Sequence, residues 1–215
     1  MTESASGIIL RTRPLTETSL IVHWLTPEFG RIATVARGAR RPKSPFAGKL
    51  DLFYTADFSL NRSRHSGLHA LREVNLRQTH TAIRADMVKL QQAAYAAALV
   101  EQTTETETPL AEIHDLLAGL LDFLCRQESS PQTVFAFELK LLHLLGLSPD
   151  LAAARLSAGT KKIAENLTHK NWAANRRLKL TAAQTVELRQ FLHVFLLSHL
   201  GRLAVGRAAA VAGAV

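Results

Sequence analysis

The chain has 215 residues, 47% of them hydrophobic, and a formal net charge of +8. This apolar share is enough to fill a core and excludes the composition of a disordered protein. A single cysteine, Cys125, excludes an intramolecular disulfide and a zinc site built from cysteines. The start of the chain lacks a signal-peptide pattern, and no apolar run reaches the roughly 18 residues of a membrane span. We therefore expect a cytoplasmic protein with no membrane partner.

Five short segments in the first 80 residues carry the pattern of β-strands. Each is rich in β-branched or aromatic residues, or alternates apolar with polar side chains, and turn signals built on Pro and Gly separate them. The segments are 7–13, 18–25, 30–39, 51–60 and 67–76. Five short strands joined by turns predict a small antiparallel barrel or sandwich that occupies residues 1–80.

The hydrophobic period changes near residue 80. From Thr81 onward apolar residues recur three or four positions apart, which predicts helices. Further helices are predicted after a Thr108 cap, from Pro131 to Gly146, and from a Thr181 capping box to Leu200. Residues 147–179 look irregular and basic. The sequence thus predicts the α+β class, with a helical domain at 81–215 that binds partners.

Residues 30–53 contain six cations and no acidic residue before Asp51. We expect these side chains at the end of the third strand and in the loop after it, which Pro42 and Pro45 would stiffen and expose. Six like charges in so short a space favour an anionic ligand such as nucleic acid. The predicted phosphate-binding residues are Arg31, Arg37, Arg40, Arg41, Lys43 and Lys49.

Aromatic residues near the basic stretch are candidates for stacking on bases. Phe46, Phe53, Tyr54 and Trp24 are within reach in sequence, but Phe53 and Tyr54 point to opposite faces of a strand, so at least one should be core. Phe46 and Tyr54 are the stacking predictions. The basic loop itself does not distinguish DNA from RNA, because only contacts to the 2′-hydroxyl would do so.

No catalytic constellation accompanies these features. The sequence contains neither a phosphate-binding G-x-x-x-x-G-K-[ST] loop nor a G-x-S-x-G elbow. His65 and His69 fall in a predicted turn and strand without a carboxylate close enough to complete a metal site. We expect a protein that is not an enzyme and that uses neither a metal nor a cofactor.

The residues as a set resemble the RecO family of bacterial recombination mediators. The matching segments are "GIIL", "TETS", "LTPEFGRI", "VARGARRPKS" and "GKLDLF" in the first 53 residues, then "RADMVKLQQAAYAAALVEQ" and "FAFELKLLHLLGLSPDL". The resemblance covers most of residues 7–151 and implies an N-terminal OB-fold followed by a helical domain. It also implies binding of single- and double-stranded DNA and annealing of strands coated with single-stranded DNA-binding protein (SSB). With RecR, such proteins load RecA, and they act at the bacterial nucleoid.

The resemblance also implies a docking site for the acidic tail of SSB on the helical domain. Residues 1–80 carry 12 Lys and Arg against 6 Asp and Glu, residues 81–150 carry 4 against 10, and residues 151–215 carry 10 against 2. An acidic middle between basic ends suggests separate surfaces for separate partners. The predicted rim of the tail site is formed by Arg155, Lys161, Lys162, Arg176 and Arg177.

The chain departs from the family in one segment. Many members follow "GLSPDL" with paired cysteines that hold a structural zinc, whereas this chain has Ala154 and Ser157 near those positions. Its fold therefore lacks a zinc module and must stabilise the segment by packing, through Leu151, Leu156 and Ile163 among others. Two alternatives stay open at this stage, an OB-fold RNA-binding factor and a non-enzymatic interaction scaffold.

Overall fold

The structure is a computed structural model that describes residues 2–212. The chain divides into two compact units. The first runs to Thr81 and also takes in Thr104–Ala118, while the second holds Ala82–Thr103 and the chain from Gly119 onward. A five-stranded sheet followed by helices confirms the predicted α+β class.

The first unit is a closed five-stranded barrel in the order β1-β2-β3-β5-β4. Antiparallel ladders join β1 to β2, β2 to β3, β4 to β5 and β1 to β4, and the one parallel ladder pairs β3 with β5. This arrangement is that of an OB-fold, as predicted. The strands are β1 (Thr2–Pro14), β2 (Leu20–Thr26), β3 (Gly30–Ala36), β4 (Thr55–Asn61) and β5 (Leu68–Gln78).

The barrel core is closed by aromatic packing. Trp24 and Phe58 stack with ring centroids 4.1 Å apart. The indole Nε1 of Trp24 donates to Thr34 Oγ1 at 2.9 Å, so its buried N–H is satisfied. Phe58 comes from an inward position of β4, whose buried and half-buried residues alternate as the sequence predicted.

The fourth strand begins later than predicted. Alternation from Asp51 assigned residues 51–54 to the strand, but Phe53 has a φ of 64° and β4 starts only at Thr55. Phe53 is 2% exposed, and its N–H donates to the Ile9 carbonyl at 2.9 Å. Alternation fails here because a left-handed turn at Phe53 buries a side chain that a continuous strand would place on the same face as the half-buried Thr55 and Asp57.

A segment that follows the first helices returns to the barrel within the first unit. Glu107 N–H donates to the Arg31 carbonyl at 2.9 Å, and Leu110 N–H to the Pro27 carbonyl at 3.1 Å. Gly30 makes this approach feasible, because a Cβ at its position would lie 1.7 Å from the Thr108 carbonyl oxygen. Its φ of 62° also favours glycine. The edge of β3 at Arg31 is thus covered by residues distant in sequence.

Eight helices follow the barrel within the described residues. They are α1 (Thr81–Arg84), α2 (Met87–Thr103), α3 (Ala111–Arg126), α4 (Pro131–Leu144), α5 (Ala158–His169), α6 (Trp172–Arg176), α7 (Ala182–Leu200) and α8 (Arg207–Ala212). The predicted start at Pro131 and the capping box of Thr181 with Gln184 are confirmed. The helix predicted after Thr108 starts at Ala111 instead. None of the helices in residues 2–212 has the length and hydrophobicity needed to span a bilayer.

The segment predicted as irregular contains two of these helices. Ser157 caps α5 by accepting the Thr160 N–H, and Asn171 caps α6 by accepting the Ala174 N–H. Along α5 the buried residues Thr160, Ala164 and Leu167 recur at helical spacing. Their pattern was missed because a threonine and an alanine form two of the three inward positions, and neither stands out as apolar. Leu151, Leu156 and Ile163 are half-buried here.

A buried ionic network holds three helices of the second unit together. Glu138 of α4 is fully buried and accepts a hydrogen bond from the Tyr95 hydroxyl of α2 at 2.6 Å. Arg207 of α8 donates to both carboxylate oxygens, at 2.7 and 3.0 Å. Burial opposes the charge on Arg207, but the carboxylate outweighs it and keeps the pKa of Arg207 raised. The buried Glu138 carboxylate therefore has a positively charged partner, Arg207, and accepts hydrogen bonds from both Arg207 and Tyr95.

Candidate nucleic-acid interface

The basic loop between β3 and β4 is a chain of consecutive turns. Arg41 N–H donates to the Gly38 carbonyl, Ser44 N–H to Arg41, and Lys49 N–H to Phe46, each at 3.0 Å. Gly38 has a φ of 68°, so this turn needs a residue that adopts the left-handed region. Repeated turns of this kind hold the backbone in place without a helix or a strand.

One aromatic residue anchors the loop to the barrel. Phe46 is 6% exposed and belongs to the barrel core, with Val22, Trp24 and Leu60. Its burial leaves no ring face for a base, which contradicts the stacking prediction for Phe46. Both chain neighbours of Phe46 are exposed, and Phe46 itself is buried because its large apolar side chain is more stable in the barrel core than in water.

Five of the six predicted cations lie on this loop. Four are exposed and Lys49 is half-buried. Pro42 and Pro45 are exposed beside them, as predicted. The loop cations, a name we use below for this set, are Arg37, Arg40, Arg41, Lys43 and Lys49.

Arg31 does not belong with the loop cations. It lies at the start of β3, about six residues of strand, or roughly 20 Å, from Arg37 at the other end. Its guanidinium Nε donates to Thr104 Oγ1 at 2.8 Å, and the group also contacts the Thr104 carbonyl. The prediction that all six cations gather at the end of β3 was wrong for Arg31, because its position is fixed by the returning segment.

The remaining stacking candidates are separated by burial. Trp24 and Phe53 are 0% and 2% exposed, so both belong to the core. Tyr54 is half-buried and packs against the barrel core beside the end of the loop. Among the four aromatic residues of the prediction, only Tyr54 retains an accessible side chain.

The loop is tied to the turn between β1 and β2. Arg40 N–H donates to the Thr18 carbonyl at 3.0 Å, and a hollow of about 490 Å³ lies where the two meet. Val35, Arg37 and Arg41 line one side of it, and the turn residues Leu15, Thr16, Thr18 and Ser19 line the other. Two loop cations thus face a concave surface at one end of the barrel.

Sequence reasoning missed a second group of cations on the barrel. Arg11 and Arg13 are exposed on β1, and both point outward because a register shift after Ile9 places Arg11 opposite His23 of β2. Arg13 lies opposite Ile21, which in turn lies opposite Val35 of the hollow. Two arginines at positions i and i+2 of "LRTRP" were a signal for one strand face, because side chains alternate along a strand.

His23 lies amid these charges. Burial, followed by the charges of Arg11, Arg13 and Arg31 in that order, lowers the pKa of His23 to about 4. Its Nε2 is buried and has no hydrogen-bond partner among residues 2–212. The imidazole is therefore neutral near pH 7, and its surroundings are strongly positive.

The second unit contains a groove with an aromatic floor. Trp172 of α6 and Phe123 of α3 have ring centroids 5.5 Å apart. Gly119 lets the indole lie close to α3, since a Cβ there would be 2.8 Å from Trp172 Nε1. Adjoining hollows of about 580 and 420 Å³ share this floor, and Arg126 and Arg176 line both of them.

The predicted rim residues divide into two groups. Arg176 and Arg177 line the groove, whereas Arg155, Lys161 and Lys162 lie outside it. Lys161 instead donates from Nζ to the Ala152 carbonyl at 2.6 Å. Arg126 was missed by sequence reasoning because its segment is acidic in sum, although α3 places it opposite α6. Within residues 2–212, no three His, Cys, Asp or Glu side chains lie close enough to hold a metal ion.

Two family models match this chain in succession. The model described as "Recombination protein O N terminal" matches residues 1–80, and "Recombination protein O C terminal" matches residues 84–154. The first match covers the barrel strands and the basic loop. The second covers α2, α3 and α4, and it ends before α5.

Curated relatives carry the same family name. A protein named "DNA repair protein RecO" from Rhodopirellula baltica is 34% identical over 143 residues, 66% of this chain and 53% of the relative. Proteins of that name from Symbiobacterium thermophilum and Bacillus subtilis are 33% and 32% identical, over 76% and 70% of this chain and 64% and 58% of their own lengths. The chain thus spans between half and two thirds of these relatives. From the two matches and the relatives together, the chain belongs to the RecO family of DNA repair proteins.

Proposed function

We propose that this protein is a DNA repair and recombination mediator that binds single- and double-stranded DNA through the loop cations. In this proposal it anneals complementary strands coated with SSB and, together with RecR, helps to load RecA. The observation that carries the proposal is the exposure of four loop cations on a loop held by turns and anchored by Phe46. None of these activities requires covalent chemistry, so the proposal is not one of an enzyme.

The loop would bind DNA through its phosphates. Arg and Lys contacts to phosphate set affinity and position but carry no base sequence information. A mediator needs binding that does not depend on base sequence, because it acts wherever single strands are exposed. Tyr54, beside the loop, is the residue we propose for stacking on a base.

A salt titration tests the phosphate contacts. On single strands each contact contributes about −0.7 to the slope of log K against log salt, so five contacts give about −3.5. Changing Arg40 and Arg41 together to Ala should make the slope shallower by about 1.4 and reduce annealing in parallel. Replacing Arg72 and Arg77 of β5 by Ala removes the same charge from outside the loop and should leave the slope near the original. Equal slopes for the loop variant and the unmodified chain would refute the proposal.

We further propose that the aromatic groove of the second unit binds the acidic, apolar-ended tail of SSB. The apolar floor of Trp172 and Phe123 suits an apolar end, and Arg126, Arg176 and Arg177 suit its acidic residues. Asn175 lines the same groove, and its Oδ1 is a buried acceptor with no partner in the described chain. A peptide N–H could pair with that oxygen.

Charge reversal in the full chain tests this groove. Arg176→Glu with Arg177→Glu should reduce binding of a fluorescent tail peptide by at least tenfold. Arg155→Glu with Lys162→Glu reverses the same number of charges outside the groove and should have a much smaller effect. If both pairs weaken binding equally, attraction by net charge alone explains it and the groove is not the site.

The RNA-binding and scaffold alternatives are separated from this proposal by competition. Labelled single-stranded DNA is displaced with RNA of the same sequence and, separately, with the tail peptide. Preference for RNA supports an RNA-binding factor, and absence of DNA binding at low salt supports a scaffold.

A further inference from the structure

We propose that the hollow between the β1–β2 turn and the basic loop is a base site, which takes one unpaired nucleobase of a strand whose phosphates lie on the loop cations. The inference rests on the proposed DNA binding and deepens it, because it assigns a contact to a base rather than to a phosphate. It also supplies a physical basis for binding single strands more tightly than duplexes. The residue that it adds to the site is Leu15.

The hollow is open to solvent and has apolar residues on both sides. Leu15 of the turn is 45% exposed, and the half-buried Val35 of β3 lies on the other side. The volume of about 490 Å³ falls within the range of small-ligand sites, roughly 300–1,000 Å³. A single exposed leucine is ordinary on a protein surface. Here it borders a concave surface shared with two arginines, and that combination suits a flat apolar body that carries an anionic group.

Arg37 and Arg41 make the edge of the hollow positive. Both are exposed, and within residues 2–212 neither side chain has a hydrogen bond or an ion pair with another residue. None of the residues that line the hollow is acidic. A guanidinium can bind a phosphate oxygen or lay its plane against a ring. A nucleotide therefore finds an apolar contact for its base and a cation for its phosphate in one place.

The hollow is formed before any ligand binds. Thr16 Oγ1 accepts the N–H of Ser19 at 3.1 Å and that of Thr18 at 3.3 Å. Leu15 N–H donates to the Ser19 carbonyl at 3.0 Å, which closes the turn. Arg40 N–H donates to the Thr18 carbonyl, also at 3.0 Å, and joins the turn to the loop. A site that is already ordered loses less conformational freedom on binding, so a modest contact area is enough to add affinity.

This site distinguishes single strands from duplexes. A base in a duplex is stacked and paired, and it can enter the hollow only after it is unstacked, which costs free energy. A base in a single strand does not have to break a pair. Phosphates are available in both, so duplex binding depends on the loop cations alone, and single strands gain the contact with Leu15. Because annealing turns the bound strands into a duplex, it removes this contact and favours release of the product.

The experiment compares two single-stranded oligomers of equal length, oligothymidylate and an oligomer of abasic nucleotides, by fluorescence anisotropy with the full chain. Fully burying a leucine changes an equilibrium by roughly 10- to 150-fold. Just under half of Leu15 is open, so Leu15→Ala should weaken oligothymidylate binding by about three- to tenfold. Binding of the abasic oligomer and of duplex DNA should be unchanged. The salt slope should also be unchanged, because the phosphate contacts are the same.

Two variants serve as controls. Leu76→Ala truncates a leucine of similar exposure, 37%, on β5 outside the hollow, and it should leave the affinities for both oligomers unchanged. Leu15→Met keeps the apolar volume and should bind oligothymidylate as the unmodified chain does.

The comparison separates failure of the base site from failure of the proposed function. If Leu15→Ala leaves oligothymidylate binding unchanged, or weakens binding of both oligomers equally, the hollow does not hold a base, while the salt slope still reports on the loop cations. If Leu15→Ala weakens binding of the acidic tail peptide and of neither oligomer, the hollow is a peptide site and the inference is overturned. A chain that binds neither oligomer overturns the proposed function as well.

Discussion

Replacing Arg207 by Met tests the buried ionic network most directly. The change removes both hydrogen bonds that Arg207 donates to Glu138 and leaves a fully buried carboxylate with the Tyr95 hydroxyl as the remaining partner of the three-residue network. Breaking a buried ion pair by removing one partner costs about 3–5 kcal/mol, because the other charge stays buried without compensation. A domain has about 5–15 kcal/mol of stability in all, so we expect the variant to lose a large share of it.

The double variant Glu138→Leu with Arg207→Met supplies the control. Removing both charges leaves no uncompensated ion, and buried pairs replaced by apolar residues are often neutral in stability. The Tyr95 hydroxyl then lacks its acceptor, which costs about 1–3 kcal/mol. The double variant should therefore be more stable than Arg207→Met alone, although it carries one more substitution.

The two tryptophans allow the second unit to be followed by itself. Trp24 lies in the barrel and Trp172 in the second unit. In a Trp24→Phe background, urea unfolding followed by fluorescence reports on the surroundings of Trp172 alone. If Arg207→Met costs less than about 1 kcal/mol, or if the double variant is the less stable of the two, the ionic network does not stabilise the fold as argued.

Two other substitutions test the barrel and the capping box. Gly30→Ala should destabilise the first unit by more than about 1 kcal/mol, because φ is 62° and the new Cβ would meet the Thr108 carbonyl. Thermal unfolding measures the loss, with Gly48→Ala as the comparison. At Gly48 the φ angle is similar but no atom lies within 4 Å of an added Cβ, so the comparison separates the clash from the backbone strain. Thr181→Ala should cost about 1 kcal/mol through loss of its bond with the Gln184 N–H, while Thr181→Ser should cost little; equal losses for the two would show that the hydroxyl does not cap α7.

The strands could be predicted because the residues within each strand are enough to indicate that it is extended and partly buried. β3 alternates buried and half-buried residues without exception, and its buried set of Ile32, Thr34 and Ala36 is one of the two faces that the sequence predicted. The helices that start at Pro131 and Ala182 could also be predicted from the sequence, because caps and first-turn residues lie next to the helices they begin. Local chemistry was enough for these elements.

The site was predicted less completely because it depends on residues brought together from a distance. Arg31 looks like part of the loop in sequence, but a bond to Thr104, 73 positions later, places it elsewhere. Phe46 looks exposed because its neighbours are, yet it fills the end of the barrel core. Arg11 and His23 become neighbours only through strand register. None of these relations can be read from composition or from spacing along one segment.

The return of residues 104–118 to the first unit has a consequence for how the protein folds during synthesis. The β3 edge at Arg31 stays uncovered until the segment around Glu107 has left the ribosome, although all five strands are complete by Gln78. At about 5–20 residues per second the chain needs a few seconds to extend from the end of β5 through Ala118. An uncovered strand edge in that interval can pair with other chains, so the nascent protein passes through a stage that favours chaperone binding. A fragment cut after residue 80 would remain at that stage permanently.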